Sequence, residues 1–91
     1  MSDEAEPPRR PIQDLAHDAR LLRSAIDAAE LSDEQRAATA LAYDEVLRQA
    51  CRALEVTEHF AAARRRGDAV AERERVEAAL GEAGLRVTPV S

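Results

Sequence analysis

The sequence predicts an all-α protein: an antiparallel helical hairpin over about 12–30 and 33–66, with a shorter third helix over about 68–83. Three observations lead there. Twenty of the 91 residues are alanine, the strongest helix former. Apolar residues recur at alternating spacings of three and four, the period of a helix face and not of a strand. The stretch from Asp33 to Arg66 contains neither glycine nor proline.

Residues 1–10 read as an acidic, proline-rich tail, with Pro7-Pro8-Arg9-Arg10-Pro11 favouring an extended spacer over packing. A single helical domain is expected over 11–84. Its first helix carries Ile12, Leu15, Ala19, Leu22, Ile26 and Ala29 at helical spacing, with Pro11 in the opening turn. Ser32 and Gln35 then form a capping-box pattern that starts the second helix. Unbroken, that helix would reach ~50 Å at 1.5 Å per residue. Its seam is Ala40, Tyr43, Leu47, Ala50, Leu54, Thr57 and Ala61, flanked by Val46, Ala53 and Phe60.

Arg64-Arg65-Arg66 followed by Gly67 and Asp68 reads as a helix end and a new start, with Asp68 as cap; a helix running on through Gly67 is the alternative. The third helix has a weak stripe of Ala69, Val76, Ala79, Leu80 and Ala83 among charged residues. Gly84 before Leu85 suits a left-handed stop with its customary hydrophobic contact, and 85–91 is then an extended tail.

Alanine seams let helices approach closely but bury little area, so a lone hairpin gains little against the conformational entropy of ordering it. Dimerisation is therefore expected to complete a helical bundle, with Leu22, Ile26, Tyr43, Leu47, Leu54 and Phe60 carrying the interface. A single cysteine, Cys51, allows no internal disulfide and is expected to be a buried hydrophobe. No apolar run approaches the ~20 residues of a membrane span, and the first residues lack the layout of an export signal, so the expectation is a cytoplasmic protein. Arginine in place of every lysine, beside so much alanine, suggests a GC-rich bacterial genome.

Chemistry has few candidates, and neither a metal nor a cofactor is expected. Asp14, His17 and Asp18 share a helix face, as do Glu55 and His59, but such groups are ordinarily solvated. Arg64, Arg65 and Arg66 form the sharpest hint, because clustered guanidinium groups grip phosphate. The net charge of −5 argues against wrapping nucleic acid, and no aromatic residue lies among the three arginines to stack on a base. The acids at helical spacing predict surface pairs of Asp44 with Arg48, Glu72 with Arg75, and Arg73 with Glu77.

Two phrases resemble known families. Leu22-Arg23-Ser24-Ala25-Ile26-Asp27 is similar to the L-R-x-x-I-D phrase that opens the long helix of all-helical chorismate mutases, small dimers that set arginines on a dicarboxylate. Beyond it, Ser32, Asp33 and Glu34 stand where that family has leucines and arginine, and the chain has no lysine to match its active site. Ala83-Gly84-Leu85-Arg86-Val87-Thr88 resembles a phrase near the start of winged-helix ferric uptake regulators, whose DNA-binding helices have no counterpart here. Neither resemblance assigns a family. The function expected is that of a non-enzymatic oligomerisation or interaction protein, a regulatory or accessory subunit that binds itself or another helical protein. The alternatives are a phosphate or nucleic-acid module centred on Arg64–Arg66 and a minimal helical enzyme of chorismate-mutase size.

Overall fold

A computed structural model describes residues 11–28 and 30–87. The acidic tail expected over 1–10 lies outside the described residues, as do Ala29 and residues 88–91. Four helices follow in order: α1 (Ile12–Asp27), α2 (Asp33–Leu54), α3 (Phe60–Arg66) and α4 (Ala69–Glu82). No strand occurs among the described residues.

α1 packs along α2, and their connection is closed by side chains at both ends. The Ser32 hydroxyl accepts from the Gln35 N–H at 3.1 Å, while the Gln35 carbonyl oxygen accepts from the Ser32 N–H at 3.0 Å, so the predicted capping box is formed. One turn later, Arg36 donates to the carbonyls of Ile26 and Ala28, which α1 leaves without helical partners. Leu15, Ala16 and Ala19 are the buried residues of α1.

The second helix is not continuous to residue 66. It ends at Leu54 because Glu55 adopts a left-handed conformation, φ 59° and ψ 40°. The Val56 N–H then donates back to the Cys51 carbonyl at 2.8 Å and the Glu55 N–H to that of Arg52 at 3.4 Å, the pair of bonds that defines a Schellman stop. The same pair recurs at Gly67, where Asp68 bonds back to Ala63, and at Gly84, where Leu85 bonds back to Leu80. At the first of these three stops a glutamate occupies the position that usually takes glycine.

Burial of Phe60 explains why the chain bends there. On a straight α2, thirteen residues separate Phe60 from Leu47, and at 100° per residue the phenyl ring would point roughly 140° away from the core. The bend turns α3 inward, and Phe60 and Ala63 become fully buried. Side chains from other helices hold the linker: Glu72 accepts from the His59 N–H at 2.7 Å, and Arg75 donates to the Thr57 carbonyl at 3.0 Å.

α4 packs against both α2 and α3, and its Val76 and Leu80 are fully buried. Asp68 does not cap it through its side chain, which accepts from Arg66 instead. After the turn at Gly84 the chain continues inward: Leu85 and Val87 are both buried in the core to which all four helices contribute. The carbonyl of Arg86, between them, accepts from Arg20 of α1.

Candidate functional site

Three of the six residues expected at an interface are enclosed by the chain's own elements. Tyr43, Leu47 and Phe60 expose none of their surface, because α3 and α4 cover the hairpin face on which a second copy was expected to lie. Leu22, Ile26 and Leu54 are half-buried at the margin of the same core. The large apolar side chains that do face solvent are others: Leu21 at 57 %, Leu41 at 54 % and Val70 at 63 % exposure. On α1, Leu21 and Leu22 line a shallow hollow together with Asp18. The spacing of three and four that brings these residues together was present in the sequence, but Leu21 lies off the seam and drew no expectation.

The ionisable groups are drawn mainly into closing the fold. Asp44, 1 % exposed, receives two bonds from the Arg73 guanidinium, at 2.7 and 2.9 Å, and a third from Arg64 at 3.4 Å. Asp44 was expected to pair with Arg48 on the surface; Arg48 instead joins Glu45 and Glu58. Nor does Arg73 pair with Glu77: the Glu77 carboxylate accepts from the Tyr43 hydroxyl and lies 3.6 Å from Arg23. Burial, and then the Glu77 hydrogen bond, push the Tyr43 phenol well above its usual range. The expected pair of Glu72 with Arg75 is present, 2.8 Å apart. Bonds from Arg75, and then from the His59 N–H, hold the Glu72 carboxyl below its usual range against the opposing effect of burial.

The arginine triplet does not converge. Arg64 lies over the Phe60 ring, 5.8 Å from its centroid, while also reaching Asp44, and Arg66 is drawn to Asp68. Arg65 makes no acidic contact among the described residues. All three sit at the C-terminal end of a seven-residue helix, where the backbone carbonyls already supply negative charge. Cys51 is buried as expected, and its thiol is pushed up to about 11, first by burial and then by the charge of Glu58. Asp14, His17, Glu55 and His59 are exposed or at most half-covered, and no group of three or more His, Cys, Asp or Glu converges on a metal-sized site among the described residues. No described helix is long and apolar enough to cross a membrane.

No protein-family model, curated protein or solved structure matches the chain.

Proposed function

We propose that the chain is a small helical association protein, pairing with itself or docking on another helical protein as a regulatory or accessory subunit. The observation that supports this best is where its large apolar side chains lie. Leu21, Leu41 and Val70 stand more than half in solvent, and Leu22, Ile26 and Leu54 are half-buried at the core margin. A 9.9 kDa chain has few large side chains to leave outside, and where they adjoin, as Leu21 and Leu22 do beside Asp18, another chain can cover them. Meanwhile Asp44, Glu72 and Glu77, which could serve chemistry in another setting, are committed to Arg73, Arg75 and Tyr43.

The test is molar mass in solution. Light scattering across a concentration series from ~1 µM to ~1 mM, spanning the affinities typical of such contacts, is expected to show a mass above 9.9 kDa that rises with concentration. A 9.9 kDa particle at every concentration overturns self-pairing.

A further inference from the structure

The break between α2 and α3 is a bend held in part by contacts from elsewhere in the molecule. Of the residues in the break, Glu55 alone has a positive φ, 59°, a conformation L residues adopt reluctantly. No glycine or proline in this segment prevents continuous helix from 33 to 66. The linker is held bent by Glu72 on the His59 N–H and Arg75 on the Thr57 carbonyl, both from α4, and by Glu58, which accepts from the Phe60 N–H and from Arg48 of α2. Short hinges under strain are the setting in which identical chains exchange elements, because straightening the hinge forbids the intramolecular contact and leaves the same contact available in trans.

We propose that two copies of this chain pair by exchanging the α3–α4 arm, with Glu55 and the linker becoming helical so that α2 runs on into α3. The contacts that seat the arm are discrete and can be remade between chains. Arg73 of one chain takes Asp44 of the other, Glu77 takes Tyr43, and Phe60, Val76 and Leu80 enter the partner's core. The bonds that belong only to the bent form are those to His59 and Thr57, which straightening releases, and those of the Glu55, Val56 and Phe60 N–H groups, which straightening exchanges for ordinary helical bonds as the left-handed glutamate relaxes. Tyr43, Leu47 and Phe60, hidden in the single chain, thereby become contacts between copies. This inference rests on the self-pairing proposed above and specifies its geometry.

The test compares the wild-type full chain with Glu55→Gly, Glu55→Ala/Thr57→Ala and Leu21→Glu. Each is held at ~1 mM, diluted to ~5 µM and followed by light scattering, a span that crosses ordinary contact affinities. Exchange predicts a wild-type dimer that persists for hours after dilution, because reversal requires the arm to leave its core, with more helical circular dichroism per residue than the monomer. Glu55→Gly, at ease in the left-handed bend and poor in a helix interior, lowers the dimerisation constant by at least about tenfold. Glu55→Ala/Thr57→Ala raises it several-fold, and whatever contact between exposed leucines Leu21→Glu removes, its remaining dimer still dissociates over hours. A dimer that re-equilibrates within seconds, ignores Glu55→Gly and is lost in Leu21→Glu overturns exchange while leaving self-pairing intact. Monomer throughout, in the wild type and in Glu55→Ala/Thr57→Ala, overturns both.

Discussion

Asp44 is the side chain with most at stake. Its carboxylate is sealed from solvent and satisfied by the Arg73 fork, while the Arg73 side chain is itself only 12 % exposed. Removing one member of such a pair strands the other charge in a poorly solvated place. Asp44→Ala is therefore expected to cost ~3–5 kcal/mol in urea unfolding, and Asp44→Leu combined with Arg73→Met to recover most of it. A surface pair would instead lose under ~1 kcal/mol in the single variant. Neighbouring spacing suggested Arg48, because proximity along one helix is all a sequence displays, and the true partner lies 29 positions away. Cys51 was easier to read, since a small thiol between Leu47 and Leu54 belongs on the inner face. Its pKa rises from the usual 9.0 to about 11 on folding. A group raised in this way favours the folded state fully below its unfolded value, and the contribution is lost as pH climbs from 9.0 towards 11. Tyr43 adds to the same loss above 10.0. Unfolding free energy is thus expected to fall through this alkaline window, and Cys51→Ala to flatten the fall over its lower part.

Helix ends divide into those written locally and those written by contacts. Ser32, Gln35, Gly67 and Gly84 are local signals, each recognisable within a few residues, and each marks a real boundary. The end at Leu54 is different. Its left-handed position holds glutamate, and the reasons for the turn are distant: a buried place for Phe60, and Glu72 and Arg75 reaching back from α4. Val56 and Thr57, both β-branched, were the faint local clue. Arg36 shows the same mixture, sitting on α2 while satisfying carbonyls of α1. Ser32→Ala is expected to lower stability by ~1 kcal/mol through loss of the cap, and Arg36→Ala by ~1–2 kcal/mol through two charged hydrogen bonds. Thermal melts should show the two losses partly non-additive, because both residues close the same corner.

The whole molecule is held together from both ends of the described chain. The hairpin alone has the alanine-lined seam that the sequence displays, and α3, α4 and the residues after Gly84 complete its cover. Leu85 and Val87 show how much the last stretch contributes, since each is buried and each can add ~1.5–3 kcal/mol of apolar transfer energy. A chain ending at Gly84 is expected to lose ~3 kcal/mol or more, read as a lower midpoint in urea; an unchanged midpoint would show that the docked stretch adds nothing. The sequence predicts an extended tail over 85–91 without showing whether it packs, because Leu85 and Val87 alternate as well in a free strand as in a docked one. Tyr43 offers a way to watch the assembly without adding a label. It is the sole tyrosine in a chain with no tryptophan, and its hydroxyl is bonded to a carboxylate of α4. A phenol so bonded emits weakly, so native fluorescence should be dim while α4 is seated, bright during any excursion of the arm, and dim again whichever copy the arm returns to.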